Sequence, residues 1–297
     1  MYASGLWAVF TLLASAAQTL RNAMQRELIG ALGAVGAAQV RFLFGLPFAI
    51  LFLVAVRLWT GTALPPLSPA TLAWTLCGAL AQIAATAMML AAMRQRSFVV
   101  VVAYTKTEAA QVALFALVFL GETPTLKLIG AIALATVGVF LMSGRGASEA
   151  VPSWRPAALG LVSAAFFALA AIGFREAVIR VATPSIAIAA ATVLVVGLSI
   201  QTVVLSVYLA LFDRARMTAI FALWRASLFA GFMGALASQF WFLAFALTDA
   251  ARVRTLALVE VLFAQVASLR LFREAPSARE WLGMALIVAA AAVLING

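Results

Sequence analysis

The sequence predicts an all-α membrane protein, ten transmembrane helices built as two inverted five-helix repeats. Three observations predict it: an apolar composition, ten apolar runs of spanning length, and an internal repeat. Of 297 residues, 66% are hydrophobic and 10% charged, where a soluble domain carries about a quarter charged residues. Too little polar surface remains to dissolve the chain, which leaves a bilayer as its solvent. The formal charge of +10 is spread singly or in pairs between apolar runs. A nucleic-acid footprint needs a clustered basic face, so no nucleic-acid partner is expected and the charge concerns membrane orientation. With no histidine and one cysteine, Cys77, an intrachain disulfide, a Cys/His zinc site and histidine-ligated haem are excluded. No cofactor or metal is expected, and Cys77 reads as a small packing residue.

A span needs ~20 mostly apolar residues. Runs between charge, Pro and Gly punctuation fall at 4–25, 34–58, 70–93, 97–119, 125–143, 157–176, 185–211, 222–246, 252–272 and 280–296. The opening MYASGLWAVFTLLASAAQ lacks the positive n-region of a signal peptide and reads as an uncleaved first helix. The sizeable interruptions are 59–69, 144–156 and 212–221, none able to hold a soluble domain.

The 144–156 break divides the chain nearly in half. Residues 101–124 align with 253–276 without a gap at an offset of 152, with five identities in 24 pairs. Those identities include Glu108 with Glu260, Glu122 with Glu274 and Pro124 with Pro276. The expected organisation is a first repeat over 1–146, a linker over 147–156 and a second repeat over 157–297. Five spans per half force the second to enter the membrane inverted, a frequent plan of alternating-access carriers with the site between repeats. Loops after odd-numbered spans carry twelve Lys/Arg, Arg21 among them, and those after even-numbered spans six, Arg254 among them. That bias puts the linker in the cytoplasm and both termini outside.

Polar groups at bilayer depth are costly and point at an interior cavity or at other helices. In the first span Thr11, Ser15, Gln18, Asn22 and Gln25 recur at helical spacing as one stripe. The third span shows Thr75, Gly78, Gln82, Thr86 and Met89; the offset maps the last three onto Gly234, Ser238 and Trp241, with Phe245 one turn further. Such a face suits a substrate with a polar head and an apolar or aromatic body, or it serves close packing on Gly231 and Gly234. In the fourth span Tyr104, Glu108 and Gln111 share a face that Phe115 continues. Lys106 points about 200° away from Glu108, so it needs a partner on another helix, cavity water or a neutral state. Glu108 and Glu260 are read as the carboxylates deep inside spans: proton carriers, ammonium receptors, or structural ties between the repeats. Arg41 is expected to snorkel outward, with a substrate carboxylate as its other reading, and Pro47 to kink the second span.

Ten spans, a central linker, and a glutamate followed fourteen residues later by the glutamate of GETP or REAP resemble the drug/metabolite transporter superfamily. Within it the chain is similar to the EamA-type ten-helix exporters, most of all the YddG-type exporters of aromatic and other amino acids. The resemblance implies a monomeric secondary carrier in the bacterial inner membrane, exporting amino acids and related small metabolites by alternating access. The related small multidrug pumps carry an essential carboxylate in their first helix, where this chain has Gln18 and Asn22, so their proton exchange is not carried over. The expected cavity residues are Gln18, Asn22, Gln82, Thr86, Met89, Tyr104, Lys106, Glu108, Gln111, Ser238, Trp241 and Glu260. A multidrug exporter of the same fold is the rival reading. An intramembrane enzyme would need an acid cluster such as DDxxD, a histidine, or a nucleophile with its base, and none is legible. No ATP-binding motif occurs, so direct nucleotide-driven pumping is not expected.

Overall fold

A computed structural model describes residues 5–95, 98–142, 154–263, 265 and 278–295. The described residues form helices and connecting turns with no strand. In chain order the helices are α1 (Leu6–Leu43), α2 (Gly45–Thr60), α3 (Pro69–Met93), α4 (Phe98–Thr105), α5 (Glu108–Phe115), α6 (Leu126–Met142), α7 (Trp154–Ile179), α8 (Ile186–Phe212), α9 (Arg214–Ala222), α10 (Trp224–Leu247), α11 (Ala250–Leu256) and α12 (Ala278–Ile295). A π-helical turn over Ala116–Leu120 extends α5, and a 3-10 turn over Ala257–Val259 follows α11.

Among the described residues, five helices are long and apolar enough to cross a membrane: Leu6–Thr60 taken as one unit, α3, α7, α8 and α10. Their outer faces are greasy, with Leu58, Trp59 and Leu211 largely exposed, as lipid contact requires. Cys77 lies on such a face, exposed beside Leu72, Leu76 and Leu80. This corrects its expected packing role.

Local chemistry sets the ends. Ser68 caps α3 by accepting from the Thr71 amide at 3.1 Å with Pro69 at the first helical position, and Asp249 caps α11 through the Arg252 amide at 2.8 Å. The expected loop at 26–33 is helical instead. The chain turns at Gly33, whose φ of +64° L side chains rarely adopt, and the Gln25 amide crosses the bend to the Ala37 carbonyl at 2.8 Å. The α1–α2 interruption falls at Phe44. Pro47 has no N–H for the Leu43 carbonyl and its ring crowds that group, which accounts for the break. The expected 212–221 loop contains α9. Glu274 and Pro276, used to align the repeat, lie outside the described residues, as does most of 144–156.

The most extensive packing joins α3 to α7, α1 to α10, α6 to α12 and α2 to α8. Small residues allow these crossings. A Cβ on Gly173 would lie 2.8 Å from the Gly78 backbone nitrogen, and one on Gly231 would lie 2.5 Å from Phe44. In lipid such close backbone approach replaces the hydrophobic drive between helices. The uninterrupted spans expected at 97–119 and 252–272 are broken. The first is interrupted between Thr105 and Glu108, the second at the 3-10 turn just before Glu260. These breaks coincide under the 152-residue offset.

Gly173→Val should drive α3 and α7 apart and cost about 1–3 kcal/mol by overpacking, lowering the thermal midpoint in detergent. Gly130→Val, where a Cβ meets nothing within 4 Å, should leave it unchanged; equal effects would contradict the crossing.

Candidate functional site

The two helix breaks deliver charge to the centre of the bundle. Glu260 follows the 3-10 turn and is 2% exposed. Its Oε2 accepts from Gln18 Nε2 at 2.9 Å and from the Lys106 ammonium, and its Oε1 accepts from Asn22 Nδ2 at 3.2 Å. Three donors on two oxygens is the pattern of a carboxylate. Lys106 thus finds its partner on another helix, the first of the three solutions its helical position allowed.

The amides are oriented by what lies behind them. Trp241 Nε1, which can only donate, donates to Gln18 Oε1 at 3.0 Å, leaving the Gln18 NH2 for Glu260. Arg21 donates to Asn22 Oδ1 through Nε at 3.2 Å and Nη2 at 2.6 Å, leaving the Asn22 NH2 for the other Glu260 oxygen. Each amide therefore relays one neighbour to the same carboxylate.

Glu108 opens α5, and its Oε1 lies 3.0 Å from Arg254 Nε. Both atoms count as lacking an aligned hydrogen bond, so the contact is an ion pair by distance with poor angular geometry. The Arg254 guanidinium lies over the Trp241 ring at 4.4 Å and the Phe245 ring at 5.4 Å. Glu108 and Glu260, equivalent under the offset, thus each pair with a cation in the other half of the sequence. Lys106 and Glu260 expose 9% and 2% of their side chains, against 46% and 29% for Arg216 and Asp213. The surface pair is worth at most about 1 kcal/mol; breaking the buried one strands a charge in an apolar interior.

Arg41 is 1% exposed. It does not snorkel, which corrects the expectation. Its Nη1 and Nη2 make long contacts of 3.4 Å to the Thr86 and Ser238 hydroxyls, the pair the offset equates. Gly234 makes room for it, since a Cβ there would lie 2.9 Å from Arg41 Cγ and 3.3 Å from Arg21 Cδ. Gln18, Asn22, Met89, Lys106, Glu108 and Glu260 enclose a cavity of ≈ 20 Å³ together with Arg21, Arg254 and Phe167. That volume holds about one water, so the centre is closed in this state.

Of the twelve expected cavity residues, those six line the cavity, and Thr86, Ser238 and Trp241 adjoin it. Gln82 instead accepts from Gln201 of α8 at 2.8 Å. Tyr104 packs where a Gly160 Cβ would touch it, and Gln111 bonds Thr107 at 3.1 Å and reaches the Leu161 carbonyl at 3.5 Å. Gln82 thus faces α8, while Tyr104 and Gln111 meet neighbouring residues of α7. The first-span stripe is buried at Thr11, Ser15, Asn22 and Gln25 and half-buried at Gln18, yet Thr11 bonds its own Trp7 carbonyl, so only its middle serves the centre. Arg21 and Arg254, taken for loop charge, belong to the cluster. Both fall inside predicted spans, and that position was the signal for them.

A second charged group stands apart. Arg175 contacts Glu122 at 3.0 Å and Glu176 at 2.9 Å and donates to the Thr248 carbonyl at 3.3 Å, while Arg180 pairs with Glu176. It fastens the turn before α6 and the turn before α11 to α7. Glu176, 4% exposed, is thus a third buried carboxylate, beyond the two read from the sequence.

Apolar helices of spanning length around a buried charged centre define an integral membrane class of architecture. A solved crystal structure, described only as that of a protein, matches over 99% of this chain and 98% of its own, with a TM-score of 0.69 and 15% identity. At that identity the likeness shows the fold alone. No family model matches the chain, and no curated protein matches it in sequence.

Lys106→Met should lower the unfolding free energy by about 3–5 kcal/mol by stranding Glu260. Adding Glu260→Gln should recover part of that loss, and purely additive losses in this double-mutant cycle would show the pair to be uncoupled.

Proposed function

We propose that the chain is a ten-span, inverted-repeat secondary carrier of the EamA type in the bacterial inner membrane, moving small carboxylate-bearing metabolites by alternating access. Amino acids, aromatic ones included, are the leading substrates, and the working unit is the monomer. The observation that carries this reading is the reciprocal pairing of Glu108 with Arg254 and Glu260 with Lys106 across matched helix breaks, around a centre with room for about one water. Broken helices meeting ionisable groups between two halves are how carriers build a site that each half can uncover in turn.

The packing pattern supports two related halves, and five spans in each make them inverted. Exchanging them turns the α3–α7 contact into the α10–α1 contact and returns α6–α12 and α2–α8 to themselves. The proposed repeats cover 1–146 and 157–297. Four spans are then assembled from shorter pieces, α4 with α5, α6, α11 with its continuation, and α12. At 17 residues α6 is about 26 Å long, enough for a bilayer core of about 30 Å with slight thinning.

Substrate roles follow from unused bonding capacity. Glu260 already accepts from three donors, so Glu108 is the carboxylate with more capacity to receive an ammonium group, and Arg41 is a cation free to receive a carboxylate. The multidrug alternative fits less well. Arg254 already covers the rings of Trp241 and Phe245 that a lipophilic cation would use, and cations outnumber carboxylates around the cavity.

Counterflow in proteoliposomes with a panel of radiolabelled amino acids at two pH values tests substrate class and proton linkage together. At least one should exchange, with Lys106→Ala and Glu108→Gln each lowering the rate tenfold or more while Gln82→Ala changes it little. Unaltered flux in both of the first two variants would sink the assignment.

A further inference from the structure

The central cluster is not electroneutral. Arg21, Arg41, Lys106 and Arg254 are all at least nine-tenths buried, and so are the two carboxylates beside them, Glu108 and Glu260. Lys106 and Arg254 are matched by the carboxylates. Arg21 and Arg41 are in no ion pair with any described carboxylate, and Arg21 Nη1 and Arg41 Nε have no hydrogen-bond partner among the described residues. Their stems pass over the same point, the missing Cβ of Gly234, so the two guanidiniums share one region.

Leaving two guanidiniums unmatched in an apolar interior costs several kcal/mol each in desolvation. Buried cations are found with counter-charges; here Arg41 meets the Phe42 ring at 5.3 Å and the Thr86 and Ser238 hydroxyls, Arg21 meets the Asn22 amide oxygen, and the nearby Glu260 is already paired with Lys106. A zwitterion brings no net charge and leaves the excess in place; a lipophilic cation adds to it. A small anion with two negative charges cancels it. From the geometry we infer that Arg21 and Arg41 form a subsite for a dianion, a dicarboxylate or a phosphate monoester, which takes one free N–H from each guanidinium. This rests on reading the central cluster as the substrate site, and within the carboxylate-bearing metabolites proposed above it favours doubly charged anions over zwitterionic amino acids. In the closed state the ≈ 20 Å³ cavity cannot hold such a molecule, so binding requires the centre to open.

The test is thermal unfolding of the intact protein in nanodiscs, in chloride-free buffer at matched ionic strength. Succinate, glycerol 3-phosphate, phenylalanine, chloride and tetraphenylphosphonium are each titrated. One or both dianions should raise the midpoint saturably, which also tells dicarboxylate from phosphoryl recognition, while phenylalanine, chloride and the organic cation should do markedly less. Arg21→Gln and Arg41→Gln should each weaken the dianion response at least tenfold and, by removing an unmatched charge, raise the midpoint of the ligand-free protein. A purely structural arginine would lower it. Arg41→Lys keeps the charge and should retain part of the response, a readout that remains if the glutamine variants fail to fold. Absence of a shift with both dianions, or an equal shift with chloride, would overturn the subsite. Counterflow of phenylalanine without dianion binding would overturn it and leave the carrier reading intact. Dianion binding without counterflow of any probe would do the reverse.

Discussion

Charge buried in an apolar medium has to be answered by other groups of the same chain, and that requirement organises this molecule. Its outer faces are leucine, valine and phenylalanine, so ionisable side chains have nowhere to go except inward or to the helix ends. At the centre the answer to each carboxylate comes from the opposite half of the sequence. Lys106 reaches Glu260 and Arg254 reaches Glu108, so neither half can satisfy its own acid. The same contacts that make the centre polar also hold the halves together.

Broken helices make that arrangement possible. An unbroken helix through 98–120 would present Tyr104, Glu108 and Gln111 to one neighbour. With the interruption at Lys106 and Thr107, Glu108 lies at the centre beside Arg254, while Tyr104 and Gln111 both meet α7. The 3-10 turn before Glu260 does the equivalent in the other half. Glycine performs the complementary task, since Gly234 gives space to two arginine stems and Gly78 with Gly173 lets α3 and α7 meet backbone to backbone.

The two charged groups differ in character. The peripheral one, built on Arg175 and Glu176, is part-exposed and joins neighbouring turns, where water screens its charges. The central one is largely buried, densely bonded at Glu260 and sparsely bonded at Glu108, Arg21 and Arg41. A centre that served the architecture alone would be expected to satisfy its donors fully, because each unmet group weakens the fold.

Composition and apolar run lengths by themselves determined that the chain is helical and suited to a bilayer, because those properties are sums over residues and need no partner. Periodicity likewise gave the buried stripe of α1 and the face of α10 from Gly234 to Phe245, since a regular helix fixes which residues share a side. The offset of 152 singled out Glu108 and Glu260 before any contact was known. Tertiary structure alone decided the rest. The kink at Gly33 and the breaks at 106–107 and 257–259 alter helical phase, so facing beyond them cannot be counted along the chain. Whether an arginine inside a span snorkels or stays buried depends on the space opposite it. For Arg21, Arg41 and Arg254 that space is a glycine, a pair of hydroxyls, two aromatic rings and a carboxylate contributed by distant segments.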